Sequence, residues 1–442
     1  MSEENKKKTF FKPSYFFWIV SVVVLIFVYI YSNNNYETIN NAPNITEIHY
    51  ADAITETHQK IIDKFNEKYY GRIKVIPINL PFRKFSTNER KELLARALRS
   101  KSEKIDLFSV DIVWGYRFEK YAEDLTDYFD ESFLSKIIDP VFPTCYYDER
   151  LISVPLSLDL GTLYYREDKL SQLTNYKKLK TRIENSITWN EFIDLGTKLK
   201  HNNVPFYIYP ASDYEGLICS FMELVLNQNR DFFSGDRIDL LQPESRKALQ
   251  TLYDLIHKYK FTPKVVTAFT EHPAYQYYVE SGGYFIRSWP TFFSENIVNL
   301  NEEAKSKIKR APLPHFKGTK PAAVFGGWNL IVSKFSENKP EVIEFIKFVL
   351  QHDSQKLFFE ENGSLPVIRS VYEDSTVANY EVLDFYEQQF EYGVHRPLLV
   401  DYSRISDIIS YFIHKVLNNE LEIEAALSEA TKMVNSKEVI FK

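Results

Sequence analysis

A chain of 442 residues exceeds what one compact core ordinarily buries, so its length predicts two lobes plus further segments. Its composition is that of a globular protein, 44% hydrophobic and 26% charged with 13 Gly and 19 Pro. The formal charge of −6 leaves no basic footprint, and no run of Lys and Arg interleaved with aromatics follows the extreme N-terminus, so no nucleic-acid partner is expected. Aromatics reach 16%, with 34 Phe and 30 Tyr, a level that codon bias toward Phe, Tyr, Lys, Asn and Ile explains for most of them. Cys145 and Cys219 stand 74 positions apart in no metal-ligand spacing, which argues against a zinc site. One disulfide between them is open in an oxidising compartment, but two inert buried thiols are the expected case.

The first predicted element is a membrane segment. Tyr15 to Tyr31 is a run of 17 residues in which Ser21 is the one strongly polar member apart from tyrosine hydroxyls. At about 1.5 Å per residue it crosses most of a ~30 Å hydrocarbon layer. Lys6, Lys7, Lys8 and Lys12 precede it and no Lys or Arg follows until Lys60, so the positive-inside rule places residues 1–14 in the cytoplasm and the body outside. A cleaved signal peptide is the competing reading, but the run exceeds a typical h-region and Ser32-Asn33-Asn34-Asn35-Tyr36 lacks a small-x-small site. No cysteine follows to accept a lipid, so a single-pass anchor in the cell membrane is expected, with residues 32–44 as a polar stalk. Setting aside the four Lys and two Glu of residues 1–14 leaves 50 basic and 58 acidic residues, a net charge of −8 for everything after them.

From Ile45 strand-like and helical patterns alternate. Ile45–Tyr50 alternates apolar and polar residues, residues 55–70 place Ile61, Ile62, Phe65 and Tyr69 at helical spacing, and Ile73–Ile78 returns to alternation, which reads as a βαβ opening. A helix from about Glu89 to Ser100 and the apolar Ile105–Val113 continue it, predicting a mainly parallel sheet covered by helices. Thr188-Trp189-Asn190-Glu191 has the threonine and the glutamate three residues on that form a capping box. Helical patterns follow around 214–228, 243–259 and 338–359, and Ile405, Ile408, Ile409, Phe412, Ile413 and Val416 form an i, i+3, i+4 stripe near the C-terminus.

Enzyme chemistry finds no positive support. There is no Gly-x-Ser-x-Gly elbow and no phosphate loop, and the nine histidines are scattered without His-x-x-x-His or His-Glu-x-x-His, so no metal or cofactor is expected. Paired carboxylates for glycoside hydrolysis remain open, because their spacing is spatial.

Binding chemistry has several supports. Asp106–Phe129 reads as a buried strand ending in Asp111 and Trp114, which puts a carboxylate where open α/β sheets bind ligands; Trp114 itself reads as core. Asp159 sits in the apolar run Val154–Arg166, where a carboxylate is costly unless a hydrogen-bond donor such as a sugar hydroxyl meets it. Gly326-Gly327-Trp328 joins close backbone approach to a flat apolar face.

These segments, together with Thr87–Ser102, Tyr214-Glu215-Gly216-Leu217, Leu255–Lys260, Phe285-Ile286-Arg287-Ser288-Trp289-Pro290, Ala311–Phe316 and His395-Arg396-Pro397, resemble in content and order the trehalose/maltose-binding proteins of ABC sugar importers. The resemblance runs from about Ile45 to the C-terminus. It implies a two-lobe α/β, periplasmic-binding-protein-like fold (type II) with a hinge: residues 45–157 plus 320–365 as one lobe, 158–319 plus 366–442 as the other. Carried over by position, it implies that Arg90, Asp111, Asp159, Trp289, Trp328 and Arg396 line a sugar cleft, with Glu56 as a further acceptor. Carboxylates accept from hydroxyls, arginines donate, and indoles pack on the C–H face of a ring. Thr291 stands where the family usually has an aromatic, and Asn227-Gln228-Asn229-Arg230 lacks the usual Gly-Gly, so specificity is expected to differ. The expectation is a membrane-tethered, monomeric sugar receptor delivering a di- or oligosaccharide to an ABC permease, with no catalysis; a sugar-sensing or adhesion module using the same cleft is the alternative.

Overall fold

The structure is a computed structural model that describes residues 18, 20–31, 45–81, 84–85, 87–101, 104–199, 204–235, 237–293 and 300–436. Part of the expected membrane segment, and the expected tail and stalk, lie outside these residues. Within it residues 20–31 are helical, and their large apolar side chains are between 45% and 73% exposed. Among the described residues no helix is long and apolar enough to cross a membrane.

The βαβ opening forms as expected. Strand β1 (Thr46–Asp52) lies parallel to β2 (Ile73–Asn79) through helix α1 (Glu56–Lys68), whose Ile61, Ile62 and Phe65 are buried on the sheet side. Thr55 caps α1, and His58 closes the capping box in the place that Glu or Gln more often takes. Helix α2 (Thr87–Ser100) leads to β3 (Leu107–Asp111), parallel to β1 and buried at every position.

Two sheets follow from one short crossing. Strand β4 (Val154–Leu160) belongs to the first sheet and β5 (Thr162–Arg166) to the second, with Gly161 between them. Helix α3 (Trp189–Lys198) begins at the Thr188/Glu191 capping box predicted for it. The second sheet adds β6 (Tyr207–Ile208), β7 (Phe285–Ser288) and β8 (Ile308–Ala311), in the order β8-β5-β7-β6. Helices α4 (Glu215–Gln228), α5 (Pro243–His257) and α6 (Glu271–Ser281) lie between β6 and β7 in the chain, and α4 is buried over nearly its whole length.

The chain then returns to the first sheet in β9 (Ala323–Val332). This strand runs antiparallel to β3 over Trp328–Val332 and antiparallel to β4 over Phe325–Leu330, with a bulge between Trp328 and Asn329. The sheet is therefore mixed rather than mainly parallel, because a strand arriving from the second sheet enters between two strands already laid down. Strand β10 (Gly393–Val394) pairs with the start of β9.

The helical pattern predicted over 338–359 forms two helices, α7 (Lys339–Val349) and α8 (His352–Asn362), broken at an extended Gln351. Side chains take the carbonyls the break releases: Ser354 Oγ donates to Phe348 O at 2.8 Å and Gln355 Nε2 to Val349 O at 3.3 Å. The expected C-terminal stripe is buried on α9 (Tyr402–Leu417), which packs against α10 (Ile423–Val434) and α4. Both thiols, Cys145 and Cys219, are free and buried.

Candidate functional site

A cavity of about 190 Å³ opens where both sheets converge. At roughly 10–15 Å³ per water site it holds on the order of a dozen or more waters, a ligand-sized volume rather than an ion site. Parallel strands β1 and β3 deliver Asp52 and Asp111 to it from their carboxyl ends. The neighbouring strands β4 and β9 add Asp159 and Trp328, while Trp289, Glu215 and Glu271 come from the second sheet's elements.

The glycine pair of β9 has two separate jobs. Gly327 has φ +124°, and a Cβ there would enter the Ser157 carbonyl oxygen on β4. Gly326 faces Trp289, whose Cζ3 would lie 3.1 Å from an added Cβ, so hydrogen at this position lets the indole rest against the strand. Asp159 is the register partner of Gly326 and borders the cavity on the same stretch.

Arg396 and Asp111, each expected to face a ligand, also face each other. Arg396 Nη2 donates to Asp111 Oδ1 at 2.6 Å, and its Nη1 donates to Glu215 Oε1 at 2.9 Å. Arg396 is 3% exposed, which makes this a buried triad joining the end of β3 to the first turn of α4. Tyr402 donates to Glu215 Oε1 at 2.6 Å, and Ser406 donates to Oε2. Asp111 Oδ1 also accepts from Val113 N at 3.1 Å, capping the short helix that carries the buried Trp114.

Arg90 is placed differently from the expectation. It is 1% exposed, does not border the cavity, and donates from Nη2 to Asp52 Oδ1 at 3.0 Å while its guanidinium lies over Trp328. Glu56 is exposed on α1 and its neighbours Asp52, Thr55 and His58 take the lining role. The α1 cap aims the imidazole: His58 Nδ1 meets the Thr55 hydroxyl at 2.7 Å, which turns Nε2 toward Asp52 at 3.5 Å. Burial pushes the Asp52 carboxyl up, but His58 and Arg90 more than offset it and hold the group well below the usual carboxylate range. Burial raises Glu271, with hydrogen bonding from its own backbone N–H, Tyr214 and Trp289 offsetting part of the rise.

Sequence reasoning missed Asp52, His58, Glu215 and Glu271 as lining residues, and the buried pair of Glu223 with Arg287 behind them. A signal existed for Glu223: a lone carboxylate inside the apolar run Ile218–Leu226 requires a partner, as Asp159 did. Among the described residues no group of acidic, histidine and cysteine side chains is arranged to hold a metal.

Comparison with known proteins adds a consistent set of likenesses. The model of the bacterial extracellular solute-binding protein family matches residues 51–356. A probable ABC transporter-binding protein of Deinococcus radiodurans is 26% identical over 356 residues, 76% of this chain and 80% of that protein. The solved structure of maltose-bound T. maritima MalE3 is 28% identical with a TM-score of 0.78, covering 88% of this chain and 98% of that one. A Thermus thermophilus maltotriose-binding protein bound with maltotriose shares the fold at 17% identity, with a TM-score of 0.69 over 88% of this chain and 100% of that one.

Proposed function

The chain belongs to the family of bacterial extracellular solute-binding proteins, and from that premise we propose that it captures a di- or oligosaccharide in the cavity between its sheets and delivers it to an ABC importer. As a member of that family it is a transport receptor and not an enzyme. The observation that carries the sugar reading is the placement of two indoles, Trp289 and Trp328, on one cavity whose lining also includes five carboxylates, Asp52, Asp111, Asp159, Glu215 and Glu271, and one arginine, Arg396. Indole faces suit the C–H side of a pyranose, and carboxylates suit its vicinal hydroxyls. The maltose named for the 28% identical structure supports the same class.

Capture works by hinge closure. The lobe built on the first sheet and the lobe built on the second, which part at Gly161 rather than at residue 158 and leave β10 with the first sheet, meet the ligand from two sides, so the ligand binds the closed state better and shifts the population by that difference in affinity. Asp111, Asp159, Trp289, Trp328 and Arg396 are the ligand-facing residues of this reading. The body is held outside the cell as a monomer by the apolar run Tyr15–Tyr31 as a membrane anchor; that run and the exposed apolar side chains of helical residues 20–31 support this. Membrane fractionation tests it: the full chain should resist carbonate extraction, and a chain beginning at residue 45 should be released.

A thermal-shift screen of the purified full chain against mono-, di- and oligosaccharides tests the function. A ligand at 100 times its Kd stabilises the folded state by about 2.7 kcal/mol. A shift confined to one sugar class supports the reading and identifies the substrate; no shift across a broad panel, with folded protein, refutes it.

A further inference from the structure

The two cavity tryptophans are backed in the same way by unrelated residues. Over Trp328, on β9, lies the Arg90 guanidinium, with Cζ 4.6 Å from the ring centroid, and Arg90 is anchored on Asp52 of β1. Over Trp289, just past β7, lies the Arg287 guanidinium at 3.8 Å. Arg287 is anchored by a two-pronged pair with Glu223 of α4, Nε to Oε2 at 3.1 Å and Nη2 to Oε1 at 2.6 Å. Arg287 is 0% exposed, and neither arginine borders the cavity, so neither is placed to donate to a ligand there.

Burying a guanidinium carries a desolvation cost that an ion pair offsets only with good geometry. A planar cation held by a carboxylate against an indole gives that arrangement a use: it fixes the plane and tilt of the ring. The backbone is shaped to allow it. A Cβ on Gly161, at the crossing from β4 to β5, would enter the Glu223 carboxylate and come within 3.0 Å of Arg287 Nη2, and Gly326 leaves room for the Trp289 ring. Val324 N, at the start of β9, donates to Glu223 Oε1 at 3.4 Å, so the second clamp is tied to the strand that carries Trp328.

We infer that Arg90 and Arg287 are positioning residues, each a carboxylate-anchored clamp that holds one cavity tryptophan in the orientation a ligand ring stacks on. This rests on the sugar-receptor reading and deepens it, assigning affinity to two residues that touch no ligand. Lysine separates this from a merely structural role, because it keeps the charge but lacks the planar fork.

The test uses the full chain with Arg90→Lys and Arg287→Lys, alongside Trp328→Phe and Trp289→Phe to assign each ring's signal. Melting temperature, near-ultraviolet circular dichroism, acrylamide quenching and calorimetric sugar affinity are read together. The Lys variants should melt near wild type, lose the near-ultraviolet signal assigned to the ring in front of them, quench more readily, and bind the sugar about tenfold more weakly. Wild-type ring signals and wild-type affinity in both Lys variants would overturn the inference. Should the wild-type chain bind no sugar at all, the functional reading fails while the ring signals still decide the clamp: unchanged signals overturn it. If either Lys variant does not fold, Asp52→Asn and Glu223→Gln, which keep each arginine and loosen its anchor, are read by the ring signals alone, because Asp52 itself lines the cavity: wild-type ring signals in both overturn the inference.

Discussion

Replacing Arg396 by methionine should be the most damaging single change near the cavity. The guanidinium is 3% exposed and donates to Asp111 at 2.6 Å, to Glu215 at 2.9 Å and to Phe325 O at 3.5 Å. Methionine fills much of the space but leaves two carboxylates facing each other without the cation, one of them also holding Tyr402 and Ser406. Removing one partner of a buried pair costs about 3 to 5 kcal/mol, mostly the penalty of the charge left behind. The assay is urea unfolding of the full chain at neutral pH by far-ultraviolet circular dichroism, comparing Arg396→Met, Glu215→Gln and the double variant. The double variant should be less destabilised than the two single losses added, since removing Glu215's charge relieves part of the penalty. A loss under about 1 kcal/mol in Arg396→Met would refute the argument, because that is the size expected of an exposed ion pair.

Three further outcomes are expected. Trp289→Ala and Trp328→Ala should each weaken sugar binding by about 1 to 3 kcal/mol in calorimetry while the fold survives, and unchanged affinity in both would remove them from the site. Gly327→Ala should destabilise by roughly 2 to 4 kcal/mol in the same urea assay, since it combines a φ of +124° with a collision against the Ser157 backbone; a near-neutral result would mean the strand relaxes freely. His395, with Nε2 2.9 Å from Pro140 O and its ring against Phe325, has its pKa pushed down to about 4 by burial and by Arg396. The unfolded chain therefore takes up a proton near the ordinary 6.5 that the folded chain refuses until about 4. The melting temperature should fall as pH drops through that window, and His395→Gln should flatten the fall; an unchanged slope would argue against the assignment.

Much of the fold was legible because its signals are local. The Thr188/Glu191 capping box, the 3.6 period of α1 and α9 and the alternation of β1 and β2 each depend on residues within a few positions, so chain order displays them directly. The break at Gln351 falls in six polar residues, Gln351–Lys356, that interrupt the apolar period with no Gly or Pro to mark a helix end, and only side chains folding back onto Phe348 O and Val349 O make it favourable. Gly326-Gly327-Trp328 was readable as close approach beside an aromatic face, yet what each glycine makes room for, Trp289 on one side and Ser157 on the other, depends on strand register.

The residue types that suit the site were therefore written in the sequence: carboxylates at strand ends, tryptophans beside glycine or proline, charges stranded in apolar runs. Which of them meet was decided only when β9 settled between β3 and β4. That register sets Trp328 beside Asp111, and the closing chain brings Arg396 to Asp111 across 285 positions, while Arg90 goes behind an indole instead of into the cavity. A buried charge demands a partner wherever it lies, and sequence states the demand; only the packed sheets determine which partner is within 3 Å.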